Sequence, residues 1–185
     1  MSGIYRIHRS VDIHFAHHIR GHEGACINLH GHTWKFEVLV EAKELSEHGF
    51  VIDFSHLKQR VLDPSYALLD HALAIGEITY GEVHEELALL GRKLLDSRSG
   101  LPEEMGDARV DLELGGARAE YPGGMKVVVF PFSPTSERLA EWLYRFAASE
   151  LDDERVRVAS ARIYETLHPV ESVAEFIPHR GPDGP

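Results

Sequence analysis

Alternation of apolar and polar positions is sharpest near the start of the chain. Val11, Ile13, Phe15 and His17 fall on one face of a period-two pattern, and Asp12, His14, Ala16 and His18 on the other. This predicts a strand with one wet face. A connection rich in small residues, Arg20-Gly21-His22-Glu23-Gly24-Ala25, leads to a second strand. There His30, His32, Trp34, Phe36, Val38 and Val40 share a face, opposite Thr33, Lys35, Glu37 and Glu41. Val51-Ile52-Asp53-Phe54 precedes a helix over residues 55–62, capped by Asp53 or Ser55 and stopped by Pro64, and a short helical stretch ends at Leu69-Asp70-His71.

Between residues 75 and 126 the pattern changes. A helix around 82–95 with Val83, Leu87, Leu90 and Leu94 on one side is followed by a loop-rich piece and a small hairpin through Val110–Leu114, Gly115-Gly116 and Ala117. Few large apolar residues lie here, so segment 76–124 reads as an insertion rather than a second core. Regularity returns with a strand over 126–130, a helix start with a proline in it at Ser133-Pro134-Thr135-Ser136-Glu137, and an apolar stripe of Leu139, Trp142, Leu143 and Phe146. Strands over 156–166 and 172–177 precede a Gly/Pro tail, 181–185, expected to fray. The first two strands are joined by a connection too short for a helical crossover, which points to an antiparallel α+β domain over residues 1–180.

Composition narrows the partners. Thirty acidic against nineteen basic residues give a net charge of −11, without the basic stripe that nucleic acid requires. No apolar run approaches the ~18 residues that span a bilayer, and no signal peptide is visible. The single cysteine, Cys26, cannot form an intramolecular disulfide. A cytoplasmic protein with a small-molecule partner, and neither nucleic acid nor membrane, is the expectation. The totals leave one anomaly: of thirteen histidines, seven (His8, His14, His17, His18, His22, His30 and His32) lie in the first thirty-two residues.

His30-Gly31-His32 puts two imidazoles on one strand face, roughly 6–7 Å apart along the chain, close enough to share an ion. The first strand offers His17 as a third ligand from its apolar face, in preference to His18 on the polar one. Three imidazoles with an open fourth position form a catalytic zinc arrangement; satisfied core or surface histidines are the plainer reading. Cys26, four residues before His30, is a fourth structural ligand, a nearby base or a small buried hydrophobe. Asp70-His71 is either a helix-end cap or a pair with chemistry. Glu165 continues the strand face of Ala159, Ala161 and Ile163, so its carboxylate needs a partner: an arginine, or a ligand edge with two parallel N–H donors.

The run from His17 to Trp34 resembles the signature of the 6-pyruvoyltetrahydropterin synthase family, and more closely its 6-carboxytetrahydropterin synthase branch, through the spacing of Cys26 from His30-Gly31-His32. Four further matches follow in the family's order: Val51-Ile52-Asp53-Phe54 with Leu57-Lys58; Leu69-Asp70-His71; Pro134-Thr135-Ser136-Glu137 with Leu139-Ala140; and Tyr164-Glu165-Thr166. The stretch 76–124 has no counterpart in compact members. The resemblance implies a T-fold, a four-stranded antiparallel sheet with helices on one face, assembled into an oligomeric barrel, commonly a hexamer, with active sites between subunits.

It also implies Zn2+ on His17, His30 and His32, Cys26 as the proton-abstracting base, and Asp70 and His71 as its relay partner. Glu165 would anchor the pterin ring, and Thr135, Ser136 and Glu137 would line the site, with Ser136 standing where alanine is usual. The implied activity is that of a lyase of queuosine-type deazapurine biosynthesis. It converts 7,8-dihydroneopterin triphosphate to 6-carboxy-5,6,7,8-tetrahydropterin with release of acetaldehyde and triphosphate. A 6-pyruvoyltetrahydropterin synthase or related dihydropterin lyase is the alternative within enzymes, and a non-catalytic pterin- or metal-binding module the alternative outside them. Arg6, Arg9, Arg20 and Lys35 are the candidate cations for the triphosphate.

Overall fold

A computed structural model describes residues 3–96, 112–166 and 171–179. Along the chain these form β1 (Tyr5–His17), β2 (His30–Ala42), α1 (Phe54–Leu57), α2 (Asp63–Leu69), β3 (Leu73–Gly76), α3 (Glu77–Asp96), β4 (Glu113–Leu114), β5 (Ala117–Glu120), β6 (Val127–Phe130), α4 (Ser136–Leu151), β7 (Val156–Thr166) and β8 (Ser172–Phe176). The expected hairpin residues 110–111 and the tail at 181–185 lie outside the described residues. Two compact units are present: one takes the chain up to Ile13, Thr33–Ala67 and the chain from Thr135 onward, the other His14–His32 and Leu68–Pro134.

The first unit is built on the antiparallel pairing of β2 with β7 and of β7 with β8. Phe36, Val38 and Val40 stand opposite Ile163, Ala161 and Val158, and all are buried. The register shifts between Leu39 and Val40, so β7 carries an extra residue, Ala159, at a bulge. One unpaired residue restores the alternation that puts Val158 and Ala161 on the same face. Against these strands α4 buries Leu139, Ala140, Trp142, Leu143, Phe146, Ala147 and Leu151. Thr135 is its N-cap, the hydroxyl accepting from Arg138 N–H at 3.4 Å, so Pro134 precedes the cap rather than occupying the first turn.

The other sheet face of this unit is a ladder of opposite charges rather than a wet surface. Glu37 lies directly opposite Arg162, and Arg162 opposite Glu175. Arg162 bonds both carboxylates, at 3.2 and 2.9 Å, while His8 and the Tyr164 hydroxyl complete the shell of Glu37. Glu37 and Glu41 are thereby buried with partners, Arg6 serving Glu41 at 2.9 Å. Pro64 does not end the expected helix. A wide π turn over Lys58–Leu62 re-phases the ladder, Asp63 N–H donates to Lys58 C=O, and Pro64 falls in the first turn of α2, where its missing N–H costs nothing.

In the second unit β3 pairs in parallel with both β1 and β6, while β5 pairs antiparallel with β6 and with β4. Ile75, Leu87, Val127 and Val129 form its apolar cluster, with Leu73, Tyr80, Val83 and Met125 packed against it. The strand order is β4-β5-β6-β3-β1-β2-β7-β8. The sheet therefore has eight strands and is mixed, not four and antiparallel as the sequence led us to expect. The connection from β3 to β6 contains α3, a helical crossover that permits a parallel pair. The hairpin of segment 76–124 hydrogen-bonds onto β6 and extends the sheet. Helix α3 starts earlier than its periodicity suggests and packs along Thr79, Leu87 and Gly91, leaving Leu90 and Leu94 exposed.

Candidate active site

β1 ends at His17, which is completely buried on the face of Ile13 and Phe15, as the alternation requires. His17 Nδ1 lies 3.0 Å from the Pro134 carbonyl and His30 Nδ1 lies 2.8 Å from the Asn28 carbonyl. A carbonyl only accepts, so each Nδ1 carries the hydrogen and each neutral ring leaves its Nε2 lone pair facing inward. The two Nε2 atoms face each other at 3.1 Å. At that separation the two nitrogens can share a proton or act together as ligands of one cation. His32 closes the group, its ring centroid 5.5 Å from that of His17 and 4.8 Å from that of His30, and one ligand atom from each histidine lies within 4.8 Å of the others.

Tetrahedral zinc with ~2.0–2.1 Å bonds to nitrogen separates its ligands by roughly 3.4 Å, so this donor set fits such an ion. Backbone carbonyls on Nδ1 are the second shell that fixes tautomer and ring direction in metal sites. Gly31 lets the strand pass close: a Cβ there would sit 3.3 Å from the Phe15 carbonyl oxygen. His18 does not join the cluster; its backbone N–H donates to Ala74 C=O at 3.3 Å.

Cys26 lies in a short 3-10 turn, Ala25–Ile27, half-buried and as a free thiol. Ile19 N–H donates to its carbonyl at 3.2 Å, which closes the loop between β1 and β2 and draws Cys26 back to the end of β1, two residues past His17. Asp70 and His71 meet directly: His71 Nδ1–H donates to Asp70 Oδ2 at 2.7 Å. Asp70 Oδ1 accepts from His14 N–H at 3.4 Å, and Lys126 Nζ donates to the Asp70 carbonyl at 2.9 Å. Asp70 is largely buried and His71 exposed, an oriented imidazole that presents its Nε2 to solvent.

Glu165 is half-buried and accepts a hydrogen bond from the Ser136 hydroxyl at 2.5 Å. Thr135 serves as a helix cap, and Glu137 is exposed in the first turn of α4, where the helix dipole favours a carboxylate. Each candidate cation is engaged. Arg6 pairs with Glu41, Arg9 donates to the Phe54 carbonyl at 2.8 Å, Lys35 lies 3.6 Å over the Tyr164 ring, and Arg20 pairs with Glu82 of α3. That last contact holds the Arg20 guanidinium above its ordinary range, through the hydrogen bond and charge of Glu82.

Sequence reasoning missed the roles of Pro134, Lys126 and Glu82, each of which reaches its partner across a long stretch of chain. The serine in place of the usual alanine at 136 was the one signal that could have pointed to its bond with Glu165.

A mixed α+β sheet with a three-histidine cluster that could hold a metal ion, and an Asp-His pair in the same unit, points to the class of α+β enzymes with a metal site. The family model for 6-pyruvoyl tetrahydropterin synthase matches residues 6–175, and the chain belongs to that family. It is thus a lyase-type enzyme. Among curated relatives, 6-carboxy-5,6,7,8-tetrahydropterin synthase of Haemophilus influenzae is 28% identical over 170 residues, 88% of this chain and 94% of its own length. The protein of the same name from Aquifex aeolicus is 28% identical over 145 residues, 76% of this chain and 70% of its own.

Among solved structures, an uncharacterised protein from Wolinella succinogenes aligns with a TM-score of 0.71 and 26% identity, covering 96% of this chain and 100% of its own. A 6-pyruvoyltetrahydropterin synthase from Plasmodium vivax aligns with a TM-score of 0.54 and 16% identity over 95% of this chain and 99% of its own, a likeness of fold. No helix among the described residues is long and apolar enough to cross a membrane.

Proposed function

We propose that this chain is a zinc-dependent 6-carboxytetrahydropterin synthase, acting on 7,8-dihydroneopterin triphosphate and releasing acetaldehyde and triphosphate as it forms 6-carboxy-5,6,7,8-tetrahydropterin. The observation that carries the reading is the convergence of His17, His30 and His32 with their Nδ1 hydrogens committed to carbonyls. The curated relatives of that name support it.

His17, His30 and His32 would hold the ion, which supplies polarisation of the substrate's side-chain hydroxyls and so acidifies the neighbouring C–H. Cys26, drawn to the end of β1 by the Ile19 bond, takes that proton as thiolate. Asp70 holds His71 by Nδ1, so the exposed Nε2 is free to give and receive a proton. Glu165 receives the two N–H donors of the pterin edge, oriented by the Ser136 hydroxyl, and Thr135 and Glu137 border the same helix start. Arg20, in the loop between His17 and Cys26, takes the triphosphate in exchange for Glu82.

The enzyme works as a homo-oligomer, a hexamer of T-fold subunits, in the cytoplasm. Its product enters queuosine-type deazapurine synthesis. Incubation of zinc-loaded protein with dihydroneopterin triphosphate is expected to yield acetaldehyde and carboxytetrahydropterin by mass spectrometry. A pyruvoyl product would move the protein to the other branch of the family, and no turnover would sink the proposal.

A further inference from the structure

The peptide unit joining Asp70 to His71 is held at both polar ends. Its N–H, that of His71, donates to the His14 carbonyl at 2.7 Å, and its C=O, that of Asp70, accepts from Lys126 Nζ at 2.9 Å. The clamp is needed because His71 sits at φ 58°, the one described non-glycine residue in the left-handed region, where an L side chain is disfavoured. Lys126 reaches this carbonyl because β6 runs parallel to β3. Leu73 pairs with Val127, and Leu73 N–H donates to the Lys126 carbonyl at 3.1 Å, so residue 126 lies alongside the turn from Asp70 to Leu73.

Burial lowers the affinity of Lys126 for its proton, opposed by the negative charge of Asp70. The ammonium is therefore partly stripped of water and directed at one carbonyl, where a charge-assisted bond is strong. A helix-terminal carbonyl near the end of α2 is an ordinary target for a lysine, and a lysine that only capped the helix would affect stability alone.

Resting on the proposed function, we infer that Lys126 is a positioning residue of the Asp70–His71 relay. It fixes the plane of the 70–71 peptide, keeps Nδ1 of His71 on the Asp70 carboxylate, and so aims Nε2 outward.

The test compares the zinc-loaded full chain with Lys126→Met, which keeps the aliphatic stem, and Lys126→Arg, which keeps a charged donor. Lys126→Met is expected to lower kcat about tenfold with KM within twofold, and Lys126→Arg to recover most of the loss. Two readouts stand apart from turnover: 15N shifts of histidine-labelled protein, which report the hydrogen on His71 Nδ1, and exchange of the His71 amide. Both are expected to change in Lys126→Met, the amide exchanging at least about tenfold faster, and to return in Lys126→Arg.

Unchanged kcat, or an unchanged His71 tautomer and amide, would overturn the inference, as would a kcat loss that Arg does not recover. If Lys126→Met fails to fold, the Arg variant decides alone, by keeping or losing the wild-type His71 signals and kcat. Wild-type protein that turns over no substrate would end the proposed function, while the His71 signals would still decide whether Lys126 holds the pair.

Discussion

His30 and His32 are half-buried while His17 is completely enclosed, so a change at His30 removes a ligand with less damage to packing than one at His17. His30→Ala is expected to drop bound zinc from about one equivalent per chain to near none by elemental analysis, while the melting curve of the apo protein stays close to wild type. A second test concerns Glu37. Burial would raise its carboxyl, but hydrogen bonds from His8 and Arg162, the charge of His8 and the Tyr164 hydroxyl outweigh it, and the group sits below its ordinary 4.5.

Because the folded value is the lower one, its stabilisation is complete above about pH 4.5 and lost as pH falls through the lowered value. Glu37→Gln is expected to cost about 1.5–3 kcal/mol at pH 7 by urea unfolding and to flatten the acid limb of the stability profile. At this scale the sequence was readable where contacts are periodic. His17 rather than His18 followed from alternation, and the pair at 30 and 32 from the two-residue repeat. Ser136–Glu165 and Lys126–Asp70 were not, because hydrogen bonds between residues distant in sequence leave no local period.

Among elements, α3 is held to the turn after β5 by absent side chains. A Cβ at Gly91 would lie 2.5 Å from the Pro122 carbonyl oxygen, and one at Gly123 would run into the Ala88 carbonyl. Gly91→Ala adds about 1 kcal/mol of helix propensity. The clash is with backbone, which cannot swing aside, so overpacking prevails and the net expectation is a loss of about 1–3 kcal/mol, read as a lower melting temperature. The same helix delivers Glu82 to Arg20. Glu82→Gln is expected to lower KM for the triphosphate substrate several-fold at low salt and to leave KM for the dephosphorylated pterin unchanged.

Strand and helix positions followed from periodicity, but their pairing did not. Parallel neighbours for β3 depend on where a crossover returns, and a π turn that carries the helix past Pro64 depends on a re-phasing that propensities do not encode. The proline rule was sound for an unbroken α-helix and failed because the ladder changed period two residues earlier.

For the molecule as a whole, the net charge of −11 already counts the arginines paired with the buried Glu37 and Glu41, so those ion pairs leave the excess of negative charge undiminished. Binding of the proposed triphosphate substrate by so acidic a chain then reduces to whether the Arg20 guanidinium can exchange the Glu82 carboxylate for phosphate. The parallel pairing of β3 with β6 also sets an order of events in time. Lys126 and Asp70 are fifty-six residues apart, and closing so long a loop is among the slow steps of folding. By that argument the Asp70–His71 peptide is expected to take its final shape only when β6 docks, later than the sequence-local pairing of β7 with β8. In pulse-labelled refolding the Leu73 amide, bonded to the Lys126 carbonyl, is expected to gain protection later than the amides of β8, so competence for chemistry would arrive as the last property of the maturing chain.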